Sequence, residues 1–262
     1  MTAASNKTHF FLRKLHSLTG LAICGFILEH FFTNSASIHA LLGNSDKAAE
    51  TFNTHVHFLH SLPALQAIEI GALLMPFVFH IFYGLYIWFF TGAGNVASFQ
   101  YARNFCYTAQ RISGILIFVF LLVHVIELRF GGEVIPADGK EVRVETSTND
   151  TQYTIEKQVK RYKGEEAALE ADFVVETEHD YYSHVVNYFE KLPTAGLVLY
   201  VLGIITTAFH FANGLFLAGI TWGLWTRSNA QKMAFNVCMI VGVGVAIVGF
   251  LSILGFKGIV LL

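Results

Sequence analysis

The sequence predicts an all-α membrane protein of five transmembrane helices, four of them forming a bundle, with an extracytoplasmic insertion between helices three and four. Composition points there first: 54% of the 262 residues are apolar and 14% are charged. Segment length points there next. About 20 apolar residues cross a bilayer, and five such windows follow one another, at about 15–36, 66–91, 105–129, 194–224 and 234–262. The third window has no acidic or basic residue between Arg111 and Glu127 except His124. The fourth has none between Lys191 and Arg227 except His210. A buried soluble helix could imitate one such window, but not five. Residues 1–262 therefore read as one transmembrane domain, interrupted by the insertion at 131–192.

Charge sets the expected orientation. Lys7, Arg13 and Lys14 precede the first window, Arg103 and Arg111 lie at the start of the third, and Arg227 and Lys232 fill the link between the fourth and fifth. These segments fall on one side, which the positive-inside rule makes cytoplasmic. The link 35–65 has one Lys, and the link 131–192 has more acids than bases. Trp88, Trp222 and Trp225 lie near the cytoplasmic ends, where indole favours the headgroup layer. The N-terminus is thus expected inside and the C-terminus outside. The first span is expected to act as its own insertion signal, since no cleavable signal is evident.

Cysteine usage excludes several site classes. Cys24, Cys106 and Cys238 are far apart and form no C-x-x-C or C-x-x-C-H. That argues against structural zinc, an iron–sulfur cluster and covalent c-type haem in this chain. Small buried apolar residues account for all three. A net charge of −2 does not identify a partner, and no nucleic-acid partner is expected.

The chain contains an internal repeat. The first span has Thr19-Gly20 and then His30; the third has Ser113-Gly114 and then His124, at the same spacing. The second span reads Phe79-His80 followed by Gly84-Leu85; the fourth reads Phe209-His210 followed by Gly214-Leu215. The repeated unit is a helical hairpin, spans one and two and then spans three and four. The fifth span has no counterpart and no histidine.

Helix geometry places these histidines at two depths. At 1.5 Å per residue, His30 and His124 lie ~9 Å below the outer surface, and His80 and His210 lie ~22 Å below it, so the levels are ~13 Å apart. Each level holds one histidine from each hairpin. Two histidines facing across a bundle provide what a six-coordinate haem iron needs, so two levels imply two b-type haems that carry electrons. Zinc is a weaker fit, because a catalytic site wants about three protein ligands around one ion. A lone intramembrane histidine can also be a satisfied polar residue or part of a proton path, but four, matched in depth, fit that reading poorly. Gly84 and Gly214, one turn from His80 and His210 on the same face, fit either close approach of a macrocycle or ordinary helix packing.

Five segments carry a resemblance to a known family: Arg13-Lys14-Leu15-His16-Ser17-Leu18; Ala48 to Phe52 with His57-Phe58 and Ser61-Leu62-Pro63; Tyr83-Gly84-Leu85-Tyr86-Ile87; Gln110-Arg111-Ile112-Ser113-Gly114-Ile115; and Phe209-His210-Phe211-Ala212-Asn213-Gly214-Leu215. Taken together, over residues 9–130 and 193–262, the chain resembles the di-haem cytochrome b membrane anchors of succinate:quinone and quinol:fumarate oxidoreductases, in the form where one polypeptide supplies all five helices.

The resemblance implies a non-succinate-binding subunit of succinate dehydrogenase or fumarate reductase in a bacterial cytoplasmic membrane. Two haems b would have His30, His80, His124 and His210 as axial ligands, His80 with His210 on the inner haem and His30 with His124 on the outer. A flavoprotein subunit and an iron–sulfur subunit would sit on the cytoplasmic face, and electrons would pass through the haems to or from a membrane quinone, menaquinone or ubiquinone. Arg13, His16, Ser17 and Arg111 cluster at the cytoplasmic ends of spans one and three and are candidates for the inner haem's propionates, which need donors or cations. His57, His60, Glu69 and Glu127 lie near outer helix ends and are candidates for a quinone site that exchanges protons with outer water; the resemblance also permits a site on the inner side.

Three features depart from the family. The link between spans three and four is long, and alternation in Val142-Arg143-Val144 and Tyr153-Thr154-Ile155 suggests short strands, with a disordered acidic loop as the alternative. His60 stands where some relatives have an acid, and Ala208 stands where others have a proton-moving glutamate. Two rival functions remain open to the sequence. One is the cytochrome b subunit of another quinone-linked enzyme, a formate dehydrogenase or hydrogenase; the other is a cofactor-free membrane transporter.

Overall fold

A computed structural model of the chain describes residues 3–91, 102–130, 144–145, 174–175 and 180–261. Five helical segments among these are long and apolar enough to cross a membrane: Lys7–Leu41, Leu65–Phe90, Asn104–Leu128, Thr194–Thr221 and Ser228–Phe256. The protein is a multi-pass membrane protein, and its large apolar side chains face outward as lipid-facing side chains do. Phe82, Phe89, Leu116, Leu202 and Ile240 are each about half exposed or more.

The first four spans pack in a closed ring. The first touches the second and the fourth, the second touches the third, and the third packs along the fourth. The fifth lies outside this ring, along the fourth and against the first. Its lack of a histidine fits that place, since it does not line the bundle interior. The fourth span is the central element, and it buries Phe211, Ala212, Asn213 and Phe216.

Local chemistry sets where the helices stop. The fourth helix ends at Thr221 rather than 224, because Gly223 takes φ 74° and turns the chain out of the helix. The Leu224 N–H then closes the end by donating to the Gly219 carbonyl at 2.8 Å, as helix C-caps with a left-handed glycine do. The fifth helix begins at Ser228, earlier than the apolar run alone suggests. One π-helical stretch, Glu69–Leu74, lies within the second span, and another, Ile126–Phe130, ends the third. Each carries one of the candidate acids, Glu69 or Glu127, and π-turns within helices are frequent at functional sites.

A cap closes the end of the bundle opposite the basic residues. Two further helices build it, Ser45–His60 and Tyr181–Lys191. Both fall in stretches that the sequence marks only as links, the second inside the insertion at 131–192. Each is started by a side-chain N-cap. The Asn44 side chain accepts from the Lys47 N–H at 3.0 Å, and Asp180 accepts from the Ser183 N–H at 3.0 Å. Asn53 joins the two helices, donating to Asp180 at 2.9 Å and accepting from the Tyr182 N–H at 3.0 Å. Their apolar faces meet the ends of the spans in one core of Ala48, Phe52, Tyr182, Phe189, Tyr200 and Phe256.

Within the rest of the insertion, Val144–Glu145 (β1) and Val174–Val175 (β2) pair antiparallel, with Val144 opposite Val175. The expected strand residues Val142, Arg143 and Tyr153 to Ile155 lie outside the described residues.

Candidate functional site

The interior of the four-helix ring brings the four repeat histidines together as two pairs. His80 and His210 face each other with ring centres 6.3 Å apart and planes at 76°. His30 and His124 face each other at 5.7 Å and 86°. Both pairs join one hairpin to the other. Neither joins two helices of one hairpin.

The pair nearer the basic end has a matched support on each side. The Nδ1 of His80 lies 3.2 Å from the His16 carbonyl and 3.4 Å from the Thr19 hydroxyl. The Nδ1 of His210 lies 3.1 Å from the Gln110 carbonyl and 3.1 Å from the Ser113 hydroxyl. A carbonyl accepts only, so each Nδ1 is the protonated donor and Nε2 is left as the basic nitrogen. That is how metal-ligating histidines are usually held. The small residues of the repeat complete the support. A Cβ on Gly20 would stand 2.9 Å from Cε1 of His80, and one on Gly114 would stand 3.2 Å from Cε1 of His210. The repeated Thr-Gly and Ser-Gly therefore serve the histidine of the neighbouring helix, not the one further along their own.

Gly84 and Gly214 do a different job. The nearest side-chain atom to a Cβ on Gly84 would be Cε1 of His16, at 3.7 Å, and on Gly214 it would be Nε2 of Gln110, at 3.6 Å. Both distances are ordinary van der Waals contact, so the described side chains leave room for a Cβ at either position. Gln110 goes on to tie the third span to the fourth. It donates to the His210 carbonyl at 3.1 Å and accepts from the buried Asn213 amide at 2.8 Å.

In the far pair, His124 is supported by a side chain. The Nδ1 of His124 lies 3.3 Å from the Tyr200 hydroxyl. Tyr200 also hydrogen-bonds Tyr188, and Tyr188 donates to the Glu127 carboxylate. Burial, reinforced by the bond to Glu127, pushes the Tyr188 phenol up to about 12. Glu127, Tyr188 and Tyr200 line an open cavity of about 520 Å³ together with His184, Asn187 and Lys191.

The remaining candidate residues divide. His16 stacks on His80 at 3.9 Å and 14°, and its own Nδ1 is buried without a hydrogen bond among the described residues. Ser17 accepts from the Trp222 indole at 3.2 Å. Arg111 lies over the Tyr107 ring at 4.4 Å, and Arg13 is exposed near Tyr83. The His60 Nδ1 lies 2.8 Å from the Tyr181 hydroxyl, and His57 packs edge-on to the same ring at 5.5 Å. Glu69 is exposed and joins neither Tyr181 nor the Glu127 group. The four candidates for a quinone thus form no single cluster.

The residues present fit a haem iron better than a bare metal ion. Among the described residues no three or more His, Cys, Asp or Glu side chains converge as a metal site would need; the imidazoles face each other in twos. Imidazoles on opposite faces of one iron, each at a metal–nitrogen distance of about 2 Å, have ring centres about 6 Å apart. Both pairs match that span. A porphyrin would supply the other four donors, so two protein ligands per iron would suffice.

Sequence reasoning missed Tyr200 and Tyr188. It also missed the roles of Gln110, Thr19 and Ser113, although the repeat contained their signal: His16 and Gln110 stand at equivalent positions, each three residues before the Thr or Ser.

No family model matches the chain. No solved structure matches it either. Across 96% of its length and 99% of the relative's, at 28% identity over 253 residues, the chain is similar to the succinate dehydrogenase cytochrome b558 subunit of Bacillus subtilis (strain 168).

Proposed function

We propose that the chain is the membrane-anchor cytochrome b subunit of a succinate:quinone or quinol:fumarate oxidoreductase, carrying electrons between an iron–sulfur subunit and a membrane quinone. The observation that carries the proposal is the two facing imidazole pairs at haem-iron spacing, in a chain similar over nearly its whole length to a succinate dehydrogenase cytochrome b. In this reading His80 and His210 hold an inner haem b, and His30 and His124 hold an outer one. Iron held by two histidines has no open position and exchanges single electrons.

The chain's own residues orient and insulate these ligands. The His16 and Gln110 carbonyls, with Thr19 and Ser113, fix the inner imidazoles, and His16 covers His80. The basic end, with Lys14 over the Trp222 ring at 4.5 Å, faces the cytoplasm under the positive-inside rule. The flavoprotein and iron–sulfur subunits dock there, which puts the N-terminus inside, the C-terminus outside and the insertion at 131–192 outside. Purification of the complex tests this assignment. Flavin and iron–sulfur subunits should come with the chain; nickel or molybdenum would point instead to a hydrogenase or formate dehydrogenase.

The quinone site belongs at the outer end, and the cavity beside Glu127 is the better of its two candidate positions. It adjoins Tyr200 and hence His124, and it offers Glu127, His184 and Lys191 for proton exchange with outer water. The His57–His60–Tyr181 group lies apart from it. Glu127→Gln should slow quinone turnover and leave electron transfer from succinate to a soluble acceptor intact, while His60→Ala should have the smaller effect. Full quinone activity in Glu127→Gln would move the site away from this cavity.

A further inference from the structure

We propose that Tyr200 is the positioning residue of the outer haem ligand His124, holding its imidazole through a hydrogen-bond chain that ends on the Glu127 carboxylate. The proposal rests on the reading of His124 as an iron ligand.

The direction of each hydrogen bond follows from the chemistry at both ends. A neutral imidazole that gives Nε2 to iron carries its proton on Nδ1. That proton points to the Tyr200 oxygen, 3.3 Å away. Tyr200 is then free to donate its own proton to Tyr188, with which it is hydrogen-bonded. Tyr188 donates to Glu127, and a carboxylate only accepts. The chain therefore runs one way, from the ligand through two phenols to an anion at the cavity.

Tyr200 could be no more than an apolar core residue. It is 4% exposed and packs against Phe120 and Phe189. Packing alone, however, would be served by Phe, and a buried hydroxyl needs partners. Tyr200 has one on each side.

The inner pair makes the contrast. His80 and His210 rest on backbone carbonyls, which no substitution removes. The ligand His124 rests on a side chain, so its basicity is set by residues that can be changed one at a time. Hydrogen-bonding Nδ1–H toward an anion makes Nε2 the stronger donor, which favours Fe(III) and lowers the potential of that iron. The groups facing the chain from the neighbouring elements are His184 and Lys191 of the cap helix, which line the same cavity.

The test is a redox titration of the whole complex, with the two haems resolved, for Tyr200→Phe, Tyr188→Phe and Glu127→Gln. Each variant should raise the midpoint potential of the outer haem. The shift should shrink with distance from His124, and the inner haem should stay where it is. Tyr200→Phe that binds both haems with an unmoved outer potential, or that moves both equally, would overturn the proposal. If Tyr200→Phe sheds the outer haem, Tyr188→Phe decides: a raised outer potential supports the chain, and an unchanged one overturns it. Wild-type complex without haem would instead overturn the reading of His124 as a ligand.

Discussion

His210→Ala should remove the inner haem and leave the outer one in place. The expectation is geometric. His210 faces His80 at 6.3 Å and is held by Gln110 and Ser113, while His30 faces His124, whose Nδ1 rests on Tyr200. Among the described residues the two pairs share no ligand and no supporting hydrogen bond. With bis-histidine ligation at each level, haem content should fall from about two per chain to about one. His80→Ala should remove the same spectral component, and His30→Ala and His124→Ala the other. Pairing within a hairpin would give a different pattern, with His30→Ala and His80→Ala removing one component together. Difference spectra and haem extraction on the four variants separate the two outcomes.

Gly20→Val should also remove the inner haem, although Gly20 would bind nothing itself. A Cβ there would lie 2.9 Å from Cε1 of His80, closer than side-chain carbons tolerate. The His80 ring cannot step aside easily, because its Nδ1 is tied to His16 and Thr19 and its other face is covered by the His16 ring. Overpacking at such a contact costs about 1–3 kcal/mol, and relief by rotating His80 would carry Nε2 away from the iron. Gly114→Val should act likewise through His210, where the Cβ would lie at 3.2 Å. Gly25→Ala is the control, since a Cβ there meets nothing within 4 Å. Haem content of detergent-solubilised variants is the measurement. Retention of both haems in Gly20→Val would show that the glycine does not fix the ligand.

The spans were legible because apolar length is a strong signal, and one that survives any packing arrangement. The pairing of histidines across hairpins was legible too, since the depth of a residue in a straight helix follows from counting. What escaped was whatever depends on rotation about the helix axis. Thr19 and Ser113 were visible as a repeat, yet only the packed helices show that they reach His80 and His210. Gly84 lies one turn from His80, and the structure sets His16 beside it. Tyr200 had no signal at all, because a single Tyr in an apolar run reads as core. The cap helix Tyr181–Lys191 was hidden by the acidic stretch before it, and its short amphipathic pattern is too brief to stand out alone. Glu127, His57, His60 and Glu69 all lie near outer helix ends, so counting groups them; the fold sets His57 and His60 beside Tyr181 and Glu127 beside Tyr188.

If the two facing imidazole pairs hold haem, haem content measures it most directly. The chain, purified in its complex, should show reduced-minus-oxidised spectra of two low-spin b-type components, and acid extraction should give about two haems per chain, as two bis-histidine sites require. One haem per chain, or none, would contradict it.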